Sequence, residues 1–370
     1  MNACEKSLSI DPNNAKNWSG KGYALECLGK HQEALESFEK SLSIDPNHVE
    51  ALNSKGFAFY NLDRYDEALD AYEKSLSIDS NNAKTWADKG YPLYRLGRFQ
   101  EALDAYEKSL SIDPNNAKTW TGKGCSLDNL GKYQDALESF VTALSIDANS
   151  ARVWINKAET LEKLGRSEEA LDTYNIALSI DSNNLEAWIG IAIIFYNLGK
   201  YQEALDAMDK ALLIDPNNPQ ILNVKGNALE NLDKHQEAVA AFDEALSIRS
   251  NSLSSWNNKG NAFMNLRRYQ EAVDSFDKAI SIDPNNAIIW NNKGNALYSQ
   301  GRCQEALDAF IVALSIDPND TIYWINKGNA LNDLGRYREA VAAFDKALSI
   351  DPKNEEIIAF KKIALENLTM

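Results

Sequence analysis

One spacing, 34 residues, governs this chain. Trp256, Trp290 and Trp324 open the stretches WNNKGNA, WNNKGNA and WINKGNA, and the same step leads back through Leu222, Trp188, Trp154, Trp120, Trp86, Leu52 and Trp18. With this residue as position 4, ten units run from Ala15 to Asn354 without insertion or deletion. Position 8 is Gly in eight units and Ala in two (Ala158, Ala192), and position 20 is Ala in all ten. Position 24 is Phe or Tyr in nine, with Met208 the exception. A unit this short cannot bury so much apolar surface alone, so each must stack on its neighbours.

Positions 4, 8 and 11 are apolar or small at helical spacing, as are 20, 21, 24, 27 and 28, which predicts two helices per unit. A Gly between them, as in Leu28-Gly29 and Leu334-Gly335, supplies a C-terminal cap. After the second helix comes D-P-N-N, where Pro ends one helix and can start the next segment. Small residues at positions 8 and 20 let the two helices approach closely, and the aromatics at 4 and 24 fill the space between units. Pro92 lies inside a predicted helix and implies a local kink. These residues resemble the tetratricopeptide repeat over essentially the whole chain. The resemblance implies an all-α, right-handed superhelical solenoid of helix–turn–helix repeats whose first helices line a concave groove. Residues 15–354 read as ten such repeats, and residues 1–14 as the second helix of a repeat without its first. Residues 355–370 read as a capping helix with a wetter outer side. It carries Ile358, Leu365 and Leu368 at positions 4, 11 and 14, with Lys362 in place of the usual Gly. The uneven start suggests excision from a longer array or a face covered by a partner.

Composition argues against several function classes. A net charge of −16 repels phosphate backbones and anionic lipid, so neither nucleic acid nor membrane is expected as a partner. No apolar run approaches the ~20 residues needed to span a bilayer, and no signal peptide is visible. Cys4, Cys27, Cys125 and Cys303 are far apart, which suggests a reducing cytoplasm. His31, His48 and His235 lie in different units, with no cysteine at metal-ligand spacing and no Gly-rich phosphate loop. No catalytic residue, metal or cofactor is therefore expected.

At about 100° per residue, positions 5, 6 and 9 lie about 100°, 200° and 140° from the Trp. They are expected on the groove. In the last four units ten of these twelve positions are Asn: Asn223, Asn227, Asn257, Asn258, Asn261, Asn291, Asn292, Asn295, Asn326 and Asn329. Asn is a mediocre helix former, so the rows need a reason. Either recent duplication multiplied a neutral residue, with neighbouring amides bonding along the stack, or the carboxamides hold an extended peptide main chain. The pairs Asn227–Asn258, Asn261–Asn292 and Asn295–Asn326 look like those of chaperone-binding members of the family. The row is also similar to the asparagine-lined arm of O-linked N-acetylglucosamine transferases. The cations that would clamp a terminal carboxylate are absent.

The N-terminal groove instead carries Tyr23, Phe57 and Tyr91 at position 9, with Tyr60 and Tyr94 at position 12. Those rings either pack between units or form an exposed apolar interface. Lys at position 7 reads as structural, its stem covering apolar surface. Glu36–Lys40, Asp70–Lys74, Asp104–Lys108, Asp206–Lys210 and Asp274–Lys278 read as i,i+4 helix pairs. The leading expectation is a scaffold binding an extended peptide through these Asn and aromatic residues. Two other readings stand beside it: a substrate-presenting arm of a larger enzyme such as a glycosyltransferase, and self-association through an uncovered N-terminal helix.

Overall fold

A computed structural model describes residues 8–369, which fold into helices joined by short turns, with no strand among them. Ten leading helices of 13 residues, from Ala15–Cys27 to Thr321–Asp333, alternate with ten trailing helices of 14 residues, from His31–Ile44 to Tyr337–Ile350. A last helix, Glu355–Thr369, follows. The coordinates divide into two compact units, residues 1–187 and 188–370, with the boundary inside the leading helix Leu185–Asn197. The expected second helix of residues 1–14 lies largely outside the described residues.

Most linkers between repeats end in a residue whose side chain caps the next helix; Ser150 is an exception. The Asn14 side chain accepts from the amides of Lys16 and Asn17, Asn82 from that of Thr85, and Asp320 from those of Ile322 and Tyr323. The second Asn of D-P-N-N is thus an N-cap, satisfying amides that the helix itself leaves orphaned. At the turn between paired helices Gly29 sits at φ 73°, and Lys30 N donates to the Leu25 carbonyl, closing the helix end. Asp63, Asp233 and Arg267 hold the same left-handed conformation at φ 56–57°, without glycine's freedom.

Position 8 is glycine because an aromatic ring occupies the space of its Cβ. A methyl on Gly90 would meet the Tyr106 ring at 2.4 Å, and one on Gly226 would meet Phe242 at 2.4 Å. These rings are fully buried, as are the position-20 alanines beside them. In repeat 6, Ala192 replaces the Gly and Met208 the ring, whereas in repeat 5 Ala158 stands opposite a retained ring, Tyr174. Position 27 is Ser or Ala because it abuts the start of the leading helix of its own repeat: Ser41 Oγ donates to the Ala15 carbonyl at 2.7 Å. The helix Ala83–Arg95 continues through Pro92, which is buried.

The Trp residues at position 4 are half-buried rather than enclosed. At seven of them the indole Nε1 donates back to a linker carbonyl, as Trp18 to Pro12 and Trp256 to Ser250, both at 2.8 Å. Lys at position 7 lies over the same ring, 5.0 Å from its centroid at Trp256, and reaches the acid at position 25 of the preceding repeat. Lys55–Glu39, Lys89–Glu73 and Lys225–Asp209 are 3.1, 2.9 and 2.7 Å apart. None of the five expected i,i+4 pairs forms an ion pair among the described residues. The trailing-helix Asp instead accepts from Gln one turn earlier, as Asp104 does from Gln100 at 3.0 Å.

In the last helix Ile357 and Ala364 are fully buried, and Phe360 packs on Phe344 with ring centroids 6.0 Å apart. Ile358, Leu365 and Leu368 are exposed, by 39–49%. Its outer side mixes these apolar residues with the exposed Lys362 and Glu366.

Candidate functional site: the leading-helix face

Within each unit, leading helices of consecutive repeats touch one another. Clefts of about 340–460 Å³ open between successive trailing helices, floored by the Trp, Phe and Lys of leading helices, as at Trp120, Lys123 and Leu127. The leading helices thus form the tighter side of each unit, and positions 5, 6, 9, 12 and 13 lie along it.

In the N-terminal unit this side is aromatic and partly closed. Tyr60 and Tyr91 have ring centroids 6.3 Å apart, and Tyr91 stands edge-on to the buried Tyr106 at 5.8 Å. Tyr94 packs edge-on against Phe99 at 5.4 Å, and its hydroxyl accepts from Asn129 Nδ2 at 2.9 Å. Burial pushes the Tyr91 hydroxyl up to about 12 and raises that of Tyr94. Tyr60, Tyr91 and Tyr94 therefore serve the stack. Tyr23 and Phe57 do not; they are 65% and 46% exposed. Further along, burial raises the carboxyls of Asp88, Glu159 and Glu162 above the usual range. It also pushes the Cys125 thiol up to about 12, so this cysteine is an inert packing residue.

In the C-terminal unit the amides divide by position. Position 5 turns into the seam between repeats: Asn291 is only 6% exposed and accepts from Asn326 Nδ2 at 2.8 Å. Asn257 accepts from Asn292 Nδ2 at 3.1 Å, and Asn223 from Ser255 Oγ at 3.0 Å. Of the three pairings expected from the sequence, Asn227–Asn258 forms, at 2.8 Å. In the other two cases the position-6 amide reaches position 5 instead of position 9. This leaves Asn261, Asn295 and Asn329, all at position 9, half-buried on the leading face with no hydrogen-bond partner among the described residues.

A second ladder escaped the sequence reading. Position 13 of one repeat bonds position 12 of the one before: Asn61 to Glu26 at 3.2 Å, Asn265 to Glu230 at 2.8 Å, and Lys163 to Asp128. Tyr298 donates to Asp333 in the reverse sense. The residue types vary, so only their 35-residue separation could have revealed it. His31 and His235, at position 17, extend it by meeting the carboxylates of Glu26 and Glu230 at 3.1 Å.

No group of three or more His, Cys, Asp and Glu side chains among the described residues could hold a metal ion. No helix among them is long and apolar enough to cross a membrane.

Family models described as "Tetratricopeptide repeat" match residues 15–48, 49–82, 83–116, 254–286 and 322–354. Others of the same description match 105–138 and 275–308, 130–188, 185–218 and 219–252. The chain belongs to the tetratricopeptide repeat family. No curated protein matches it. Among solved structures it is similar to the Pseudomonas aeruginosa pilF protein, at 19% identity and a TM-score of 0.52, covering 58% of this chain and 97% of that one. It is also similar to a tetratricopeptide repeat protein from Parabacteroides merdae, at 18% identity and a TM-score of 0.50, covering 67% and 98%. These likenesses carry the all-α helix-pair fold. Membership of the family makes the chain a protein–protein interaction scaffold.

Proposed function

We propose that the C-terminal unit holds an extended segment of a partner protein against the leading helices of repeats 8 to 10, without catalysis. The observation that carries this is the contrast within the amide rows. Nearly every other carboxamide there is tied to a neighbouring repeat, whereas Asn261, Asn295 and Asn329 keep both amide hydrogens and the carbonyl unused. A carboxamide presents a donor pair and an acceptor, which matches the alternating C=O and N–H of an extended main chain. Partly buried polar groups without partners favour a ligand that supplies them. Duplication accounts for the copying of the residue, and inter-repeat bonding accounts for positions 5 and 6. Neither explains why Asn261, Asn295 and Asn329 stay unpartnered where Asn227, at the same position, bonds Asn258.

The test is selection of peptides from a random displayed library on the whole chain, followed by affinity measurement with Asn261, Asn295 and Asn329 changed together to Ala. Loss of three main-chain contacts should weaken selected peptides by about ten-fold or more. Selected peptides that bind the triple variant as tightly as the parent would remove the reading.

A further inference from the structure

Repeats 6 and 7 depart from the repeat pattern in several positions at once, and the departures converge. Ile189, Ala192 and Ile193 of one leading helix and Gln220, Ile221 and Val224 of the next enclose a cavity of about 360 Å³, floored by Met208 and Ala211. Met208 stands where every other repeat has a ring, Ala192 where eight have Gly, and Val224 where repeats 8 to 10 have Asn. The cavity is thus apolar on an otherwise polar stretch of the leading face. Its volume is at the small end of the range for ligand pockets, about 300–1,000 Å³. Ile193 is exposed at its wall, and the unbranched Met at its floor can adjust to different shapes.

A cation stands at its rim. Position 31 is Asp in the other nine repeats and Arg249 here. Elsewhere that Asp stabilises the linker, as Asp283 does by accepting from the Asn285 amide at 3.0 Å. An Arg forfeits this bond, so local structure does not explain it. Turned to satisfy both its ends, the Gln220 carboxamide donates to Asn218 and accepts from Arg249 Nη1 and Nη2 at 3.2 Å. No carboxylate pairs with Arg249 among the described residues.

We infer that this cavity is an anchor subsite for one large apolar side chain of a partner segment, with a carboxylate beside it in sequence held by Arg249. The inference rests on the reading that the leading face binds extended segments, and it names the chemistry that face selects. An apolar floor rewards a Leu or Phe side chain over Ala, and the unpaired guanidinium rewards a neighbouring Glu over Lys.

The probes are fluorescent Gly/Ser host peptides with one variable residue (Ala, Leu or Phe) followed by Glu, Gln or Lys, titrated against the whole chain. Leu-Glu and Phe-Glu should bind about ten-fold tighter than Ala-Glu. Val224→Phe should erase that preference by filling the cavity. The chain already tolerates Phe at this position, since Phe360 packs on Phe344 in the same register, and a melt confirms that the variant folds. Arg249→Asp should reverse the preference for Glu over Lys. A parent chain indifferent to the variable residue, or a Val224→Phe chain that keeps the preference, overturns the inference. So does a dimer of the parent chain that Val224→Phe dissociates, which would assign the cavity to a second copy. The triple Asn variant separates the two readings. Weaker binding with the Leu/Ala ratio kept supports both. Weaker binding with no ratio in the parent sinks the subsite alone, and a ratio with undiminished binding sinks the amide row alone.

Discussion

Tyr91 and Asn261 occupy the same position of the same helix, five repeats apart, and do opposite things. Tyr91 leans on Tyr60 and Tyr106 and closes the face of its unit. Asn261 stands beside helices already tied by other asparagines, and has no hydrogen-bond partner among the described residues. The backbone presents position 9 alike in both cases. What differs is what each side chain meets. The Tyr91 ring stacks on Tyr60 of the preceding repeat, whereas the Asn261 carboxamide has no such partner among the described residues, unlike Asn227 at the same position, which accepts from Asn258. Stacking in the first unit uses the face itself, and stacking in the second uses the seam beneath it.

The sharpest way to break this contrast is truncation. Tyr91→Ala should cost about 3 kcal/mol in urea unfolding, through lost ring packing and a cavity. Asn261→Ala should change stability by less than about 0.5 kcal/mol. Equal losses would show that position 9 is structural in both units. Next in size is the seam itself. A double-mutant cycle on Asn227 and Asn258 should give a coupling of about 1 kcal/mol, and the same cycle on Asn261 and Asn292 none. Coupling in the second pair would restore the pairing that the sequence suggested.

The smallest effect sharpens the contrast at position 6, where the first unit has Asp88 and the second Asn258. Desolvation raises the Asp88 carboxyl, and Lys84 at 3.4 Å only partly offsets it. A raised carboxyl binds its proton more readily folded than unfolded, so its ionisation costs stability above the folded value, and the cost vanishes below the unfolded one. Asp88→Asn should therefore raise the melting temperature at pH 7 and lose that advantage as pH falls through the carboxylate range. A gain that persists at pH 3 would mean that packing, not charge, is responsible.

The repeat, the helix pairs, the glycine turns and the small residues at position 8 were legible, because each is a local rule repeated in one register. The position-24 rings, expected between units, also pack on the position-8 glycine of their own repeat, as Phe38 does on Gly22. The helical wheel also set positions 5, 6 and 9 away from the Trp. It did not separate them, since a wheel describes one straight helix and the fate of Asn291 depends on how the next repeat leans on it. The lysines at position 7 were read as covering apolar surface, which they do, but their acids lie 16 residues back on another helix. The cavity was missed for a related reason. Met208 and Ala192 stood out singly in the sequence, and only packing showed that they, Val224 and Arg249 share one place.

The indole tethers have a mechanical consequence. At Trp18, Trp86, Trp120, Trp154, Trp256, Trp290 and Trp324 the bond from Nε1 to the preceding linker clasps that linker to the helix it introduces. Leu52 and Leu222 have no such donor. Under tension or thermal agitation the hinges ahead of those two leucines should loosen before the clasped ones. The second of them borders the cavity beneath Val224, so the wall of that cavity is hung on an unlatched joint.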